Sequence, residues 1–345
     1  MTSFLKDGRS RPAALWLWGV TLIVLAMVVV GGATRLTGSG LSITEWNPIS
    51  GVIPPLTSAQ WEHMFALYRA TQQFREVNVG MTLAEFRSIF WWELVHRLLG
   101  LLAGTAFALP FVALVFTRQL PLRLIWRCVM LLALGGLQGL VGWWMVKSGL
   151  EHRVTVAPER LATHLGLALI LYCALIWTAL EAWSGQARPR GLKTGGWPVA
   201  ATIFLAMAYL QCLLGALVAG AQAGLIDNDW PLMNGYLFPP DYVQGSFWST
   251  FAHGRAAVQF DHRVWAYPLV IYAVGLAGAG LNSRLLMGQS RGLALAVGIA
   301  AVLQACLGIV TLVAHAPLWL ALVHQAGAAG LMGIATTLAW RVRRP

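Results

Sequence analysis

Charged residues are scarce in this chain, and acidic residues are the scarcer kind. Asp, Glu, Lys and Arg make up 11% of its 345 residues, whereas soluble domains carry about a quarter. Hydrophobic residues make up 58% and the mean hydropathy is +0.66. These values exclude an ordinary soluble domain and indicate a polytopic membrane protein. The excess of 24 basic over 13 acidic residues does not predict nucleic-acid binding, because no basic stretch is interleaved with base-stacking aromatic residues.

Cysteine is also rare. The chain has no CxxC motif, and its four cysteines all lie within apolar runs, at Cys128, Cys173, Cys212 and Cys306. This placement gives no sign of a disulfide in an outer loop or of a thiolate metal site. It also excludes the CxxCH attachment of a covalent heme.

Eight apolar runs have about the length that a helix needs to cross a bilayer. We therefore predict an all-α polytopic membrane protein with eight transmembrane helices, at 13–34, 90–116, 124–146, 161–183, 197–220, 260–281, 292–314 and 317–340. The connections on one side carry 14 basic residues and those on the other side carry eight. By the positive-inside rule both termini face the cytoplasm, and we expect the protein in the cell inner membrane.

The first outer loop contains two segments with amphipathic character, 56–68 and 82–89. Thr82 and Glu85 fit a capping box that opens the second segment. We expect both segments to be short helices outside the spans.

The chain repeats itself. Gly40–Trp46 after the first span matches Gly224–Trp230 after the fifth, and several single residues match between the halves: His96-Arg97 with His262-Arg263, Gln138 with Gln304, and His164 with His324. Four spans separate equivalent positions, so the repeats share one orientation. We predict two tandem, parallel four-helix bundles, formed by residues 1–188 and 189–345.

Four of the eight histidines lie in spans, each predicted within the first two turns at the outer end: His96, His164, His262 and His324. Two imidazoles on facing helices suit axial heme ligation within a bundle, whereas zinc or copper would usually need a third close ligand. Glycines near these histidines would let a flat macrocycle approach, or would simply let helices pack closely. The sequence does not separate these two roles for Gly100, Gly104, Gly327 and Gly330.

An arginine directly follows one histidine in each half, Arg97 in the first and Arg263 in the second. Each is a candidate partner for heme propionates, because a guanidinium group can bind a carboxylate through two hydrogen bonds. The alternative is an arginine that extends to the outer interface.

The two halves differ beside these histidines. Glu93 lies three residues before His96, whereas Gln259 lies three residues before His262. Asp261 is adjacent to its histidine and so faces another direction. Because residues three apart share a helix face, only the first half places an acid beside the heme. The first bundle thus resembles a reaction chamber and the second a holder of a redox cofactor.

Together these motifs resemble the heme A synthase family, in the form found in proteobacteria and mitochondria. The likeness covers nearly the whole chain and is carried by Gly31–Trp46 (GGATRLTGSGLSITEW), Glu93–Arg97 (ELVHR), Thr163–Gly166 (THLG), Asn228–Met233 (NDWPLM), Asp261–Arg263 (DHR) and Val323–Gln325 (VHQ). Some family members carry a cysteine pair in an outer loop. This chain lacks that pair, so a thiol-based step is not expected.

The resemblance implies an oxidoreductase that converts a ring methyl group of heme O into a formyl group, giving heme A for a terminal cytochrome oxidase. It implies a heme b cofactor held by His262 and His324, and a substrate heme held by His96 and His164. Glu93 matches the essential acid, which would stabilise a cation on the methyl carbon or take a proton from water. Expected partners are heme O, membrane lipid, heme O synthase, cytochrome oxidase assembly factors and a second copy of the chain.

Two other classes stay open. A two-heme electron carrier, such as a quinol oxidoreductase subunit, would use both histidine pairs without chemistry on either heme. It would not need Glu93 in one half only. A transporter with a histidine and glutamate proton relay is the third class, and it would be colourless.

Overall fold

The computed structural model describes residues 8–45, 51, 53–185, 195–286 and 288–344. Every regular element in this part of the chain is a helix: α1 Arg11–Leu36, α2 Ser58–Arg69, α3 Gln72–Glu76, α4 Leu83–Phe116, α5 Leu122–His152, α6 Pro158–Ser184, α7 Trp197–Gly220, α8 Phe247–His253, α9 Arg255–Asn282, α10 Gln289–Val313 and α11 Leu318–Arg341. Eight of these helices are long and apolar enough to cross a membrane, namely α1, α4 to α7 and α9 to α11. The prediction of an all-α membrane protein with eight spans is confirmed.

The second span begins earlier than predicted. The segment 82–89 is not a separate helix but the N-cap and first two turns of α4, where Thr82 and Glu85 form the predicted capping box. His96 therefore lies 13 residues after the start of its helix, so its predicted place within the first two turns is wrong. The other three span histidines lie six or seven residues after their helix starts. The predicted helix at 56–68 is α2, capped by Thr57.

The outer extension of α4 is stabilised by an aromatic cluster. Phe86 and Phe90 of α4 pack with Trp61, Phe65 and Tyr68 of α2. Aromatic pairs of this kind stabilise by about 0.5–1.5 kcal/mol each beyond their buried area. The apolar run that begins at residue 90 is thus only the membrane part of a longer helix.

The spans form two rings of four. In the first half α1 contacts α4, α4 contacts α5, α5 contacts α6 and α6 returns to α1; α7, α9, α10 and α11 follow the same order in the second half. This order is what two tandem, parallel repeats predict. The rings meet where α6 packs on α7 and α11, and where α1 packs on α11. Consequently α6 is the most deeply buried of the spans.

The two rings differ in how closely their second and third spans pack together. The contact between α9 and α10 is the most extensive in the molecule, whereas the equivalent contact between α4 and α5 is slight. Small residues explain the tight pair: a side chain on Gly298 would overlap Ala277. At the equivalent positions, 166 residues earlier (262 minus 96), the first half has Leu132 and Phe111. The first ring is therefore the more open one at this contact.

At the end of α6 farthest from the span histidines, a buried carboxylate joins several elements. Glu181 pairs with Arg123, with Arg127 at 2.5 Å and with Arg344 at 3.7 Å. A buried carboxylate needs such partners because an isolated charge is costly to bury. Other basic residues used for the orientation prediction, and the expected boundary between 188 and 189, lie outside the described residues: Lys6, Arg188, Arg190 and Lys193.

Candidate functional site

Each span histidine lies against a glycine of the preceding span. A Cβ atom placed on that glycine would come within 2.7–2.9 Å of the ring carbon Cε1 in three cases, which real Cβ atoms essentially never do, and to a tight 3.1 Å in the fourth, on Gly215. The four pairs are His96 with Gly31, His164 with Gly142, His262 with Gly215, and His324 with Gly308. Only glycine therefore allows these rings their positions, and the same packing recurs four times.

A glutamine fixes three of the four rings. Its side-chain nitrogen lies 3.0–3.2 Å from Nδ1 of the histidine and also donates to the backbone carbonyl of the same residue at 2.7–3.0 Å. The pairs are Gln138 with His164, Gln211 with His262, and Gln304 with His324. Partners of this kind set the orientation of a histidine that binds a metal, and their loss typically costs 10- to 100-fold in metal affinity.

His96 is the exception. Its Nδ1 atom is buried and has no hydrogen-bond partner among the described residues. The second bundle thus has two glutamine-held histidines, whereas the first bundle has one.

The donor set fits heme better than zinc. His96 and His164 are close enough to interact electrostatically, as are His262 and His324. In the described part of the chain no three His, Cys, Asp or Glu side chains gather as a metal site would require. The side-chain oxygens of Gln138 and Gln211 are buried without a partner there, so each amide, turned to present this oxygen to the ring, can accept from Nδ1–H when Nε2 binds iron. The residues present therefore fit two axial imidazoles in each bundle.

Glu93 is buried under the first outer loop. One carboxylate oxygen accepts from the Ser42 hydroxyl at 2.8 Å and from the Ile43 backbone N–H at 2.9 Å. The other accepts from the Arg97 guanidinium at 2.7 Å. Arg97 in turn donates to the Ile43 carbonyl at 3.0 Å. The acid beside His96 thus also fastens the loop to α4.

Gln259 and Arg263 make the equivalent attachment in the second half. The Gln259 amide donates to the Ala223 and Ile226 carbonyls, each at 2.7 Å. Arg263 donates to three further loop carbonyls, those of Asp227, Asp229 and Leu232. The two loops present opposite groups to Glu93 and Gln259: donors to Glu93 and acceptors to Gln259. This difference is a structural reason for a carboxylate in one half and an amide in the other.

These contacts bear on the two arginines. Both guanidinium groups bind loop backbone carbonyls, and their side chains do not extend freely to the interface. Their role toward heme propionates stays a prediction. Asp261 accepts from the Tyr242 hydroxyl at 3.0 Å, away from the Gln259 contacts, as its adjacency to His262 suggested.

The small residues near the histidines divide in two. Nothing lies within 4 Å of a Cβ atom placed on Gly104 or Gly330, whereas Gly100 and Gly327 contact Met27 and Gln304. The first two leave open space beside the ligand helices, and the other two allow close helix packing. Close packing is thus shown at Gly100 and Gly327, and the approach of a macrocycle stays a prediction for Gly104 and Gly330.

Helix α1 connects the two candidate sites. Gly31 lies against His96 of the first bundle, and the next residue, Gly32, lies against Gln325. Gln325 follows His324 and donates to the Val28 carbonyl at 2.5 Å. One turn of α1 thus contacts a ligand of the first pair on one side and the neighbour of a ligand of the second pair on the other.

Some of these site residues carry a signal in the sequence, and others do not. The recurrence of Gln-x-x-x-Gly at 138–142, 211–215 and 304–308 is visible in the sequence, although Gln211 was not among the predicted site residues. Ser42 carries no such signal, because its role depends on the path of the loop back to α4. Met27 and the unpartnered ring of His96 also required the structure.

The fold and the site together define a polytopic helical membrane protein with two bis-histidine sites suited to heme. The family model described as cytochrome oxidase assembly protein, COX15-CtaA, matches residues 14–336. The chain belongs to this family, and the resemblance stated from the sequence is confirmed.

Curated relatives match over the full chain. A protein of Caulobacter vibrioides is 56% identical over 345 residues, which is 100% of both chains. A protein of Parvibaculum lavamentivorans is 46% identical over 98% of this chain and 95% of its own, and one of Rhizobium etli is 44% identical over 99% and 92%. Each of these relatives is named heme A synthase.

Proposed function

We propose that the protein is a heme A synthase, which oxidises a ring methyl group of heme O to a formyl group. The name of the full-length relatives supports this function. The observation that carries it in the structure is the inequality of the two bis-histidine bundles. One is closed and holds both ligands with glutamines, whereas the other is open and holds one.

In the second bundle, His262 and His324 would hold a heme b cofactor through their imidazoles. Glutamine contacts fix both rings, which suits a group that stays bound through many turnovers. When bound, heme b supplies one-electron redox chemistry. The chain contributes orientation, low polarity and exclusion of water through the tight packing of α9 on α10.

In the first bundle, His96 and His164 hold the substrate heme. Conversion of its methyl group to formyl takes one oxygen atom from water and releases four protons and four electrons. The four electrons must leave to an oxidant outside the protein, and the heme that His262 and His324 would hold could carry them one at a time. A site within the spans also suits a substrate that is lipophilic.

Glu93 is the acid of this site. As an anion held by Arg97, it stabilises positive charge that develops on the methyl carbon, or it accepts a proton from the attacking water. Electrostatic and general-base groups of this kind contribute on the order of 10²–10⁴ in rate. Its contacts with Ser42 and Ile43 fix the carboxylate in place for either role.

The setting of this activity follows from the family and the spans. We place the protein in the cell inner membrane with both termini in the cytoplasm, and its product serves cytochrome oxidase assembly. Heme O synthase is the partner that supplies the substrate.

The test is co-expression with a heme O synthase, followed by purification, a visible spectrum and mass analysis of the extracted hemes. We expect a low-spin heme b spectrum and, in the same cells, heme A. A two-heme electron carrier would instead hold heme b in both bundles and form no heme A. A colourless protein would exclude both functions.

A further inference from the structure

His96 lacks the glutamine that holds each of the other three span histidines, because a methionine stands at the equivalent position. In three spans a glutamine lies four residues before the glycine that contacts the histidine, at Gln138, Gln211 and Gln304. In α1 the residue four before Gly31 is Met27. The spacing of 184 residues that relates Gly40 to Gly224 (224 minus 40) also relates Met27 to Gln211. Met27 therefore occupies the position of the missing fourth glutamine.

Met27 faces the helix that carries His96. Its terminal methyl lies 3.6 Å from a Cβ atom placed on Gly100, which is one turn after His96 on α4. A thioether has no hydrogen to donate and is a weak acceptor. It fills space beside α4 but cannot fix the imidazole as an amide does, and Nδ1 of His96 accordingly has no partner among the described residues.

The helix itself is also less restrained. His96 lies on α4, whose contact with α5 is slight, while His262 lies on α9, whose contact with α10 is the most extensive in the molecule. Both the ring and the helix of His96 are thus held more weakly than those of the equivalent ligand.

We propose that His96 is the exchangeable ligand of the first bundle, and that Met27 keeps it exchangeable by withholding the amide that fixes the other three histidines. This inference rests on the proposed function, since only a substrate and its product must enter and leave. A cofactor has no such need, and both of its ligands are held. Met27 is a positioning residue, because it acts on the substrate through His96.

The experiment measures heme release from the full-length protein, purified in detergent after co-expression with a heme O synthase. Excess apomyoglobin captures released heme, absorbance follows the transfer, and mass analysis separates heme O and heme A from heme b. We expect a fast phase of heme O and heme A from the first bundle, and a slow phase of heme b from the second.

Met27→Gln adds the fourth amide and should slow the fast phase about tenfold, the lower end of the effect of such partners. Met27→Leu has no donor and should release at the wild-type rate. Gln138→Met removes the amide from His164 and should accelerate the fast phase, and Gln211→Met should accelerate release of heme b alone. These two reverse variants keep the test decisive if Met27→Gln does not fold.

Two failures are distinguishable. A fast phase that is unchanged in both Met27→Gln and Gln138→Met would overturn the role of the amides and leave the proposed function intact. A wild-type protein with no heme O or heme A in the first bundle would overturn the proposed function and this inference with it.

Discussion

Replacing Glu93 with glutamine separates its two roles, as loop anchor and as catalytic acid. The wild-type carboxylate serves three donors: the Ser42 hydroxyl, the Ile43 N–H and the Arg97 guanidinium. A glutamine has one acceptor oxygen, so its NH₂ group must face either the loop or Arg97. In either orientation Arg97 loses its anion, in a site where Glu93 is 4% exposed. If the oxygen keeps the loop, Arg97 also loses a hydrogen-bond acceptor.

The cost of that loss can be estimated. Removing one partner of a buried ion pair destabilises by about 3–5 kcal/mol. The lower end applies here, because the Arg97 side chain is 23% exposed and keeps the Ile43 carbonyl. A cost of about 3 kcal/mol lies below the 5–15 kcal/mol stability typical of a folded domain, so we expect Glu93→Gln to fold and to retain both hemes.

Catalysis should suffer much more than folding. We expect the yield of heme A to fall by on the order of 10²–10³, with accumulation of heme O or of the partly oxidised alcohol. The assay is extraction and mass analysis of hemes from cells that co-express a heme O synthase. Ser42→Ala is the matched control, since it removes one loop contact and leaves the carboxylate, and it should keep most of the heme A. Normal heme A from Glu93→Gln, or equal losses in both variants, would refute the catalytic role.

Three further results are expected. His262→Ala or His324→Ala should each lower heme b content in the spectrum of the purified protein, and unchanged stoichiometry in both would remove the cofactor assignment. Gly142→Ala should lower substrate heme occupancy, because its Cβ atom would lie 2.9 Å from Cε1 of His164, whereas Gly139→Ala, with nothing within 4 Å, should not. Backbone N–H groups, first that of Asn234, hold the pKa of Asp229 below its ordinary value. Its stabilisation of the 229–235 turn is therefore present above the ordinary pKa and lost as pH falls through the lowered one. The protection factors of the amides in that turn, which correct for the intrinsic slowing of exchange in acid, should fall as the pH is lowered, and Asp229→Asn should abolish this dependence.

The sequence predicted the eight spans because they depend on local pattern, whereas the tandem pairing of the halves stays a prediction. Length and hydropathy define a membrane helix, and the Thr82 capping box is a local signal that the structure confirmed. The start of α4 was missed because it depends on aromatic contacts with α2, which are distant in sequence. The contacts of Glu93 were missed for the same reason: a pattern shows that an acid is present, but the loop decides which donors meet it.

The functional difference between the bundles therefore extends beyond the single acid from which it was first inferred. Glu93 and Gln259 each complement the hydrogen-bonding groups of their own loop, so that contrast alone has a structural explanation. The difference in helix packing between the two bundles is not explained by these loop contacts. Glycine and alanine allow α9 to pack closely on α10, whereas α4 and α5, which have larger residues at the equivalent positions, make only a slight contact. The time for which a heme stays bound depends on how firmly its histidine ligands and the surrounding helices are held. On the proposed function, residues that never touch the heme iron thus decide which bundle is the cofactor site and which is the substrate site. On this argument, exchanging the small residues of α9 and α10 for their first-half counterparts should loosen heme b without altering either of its ligands.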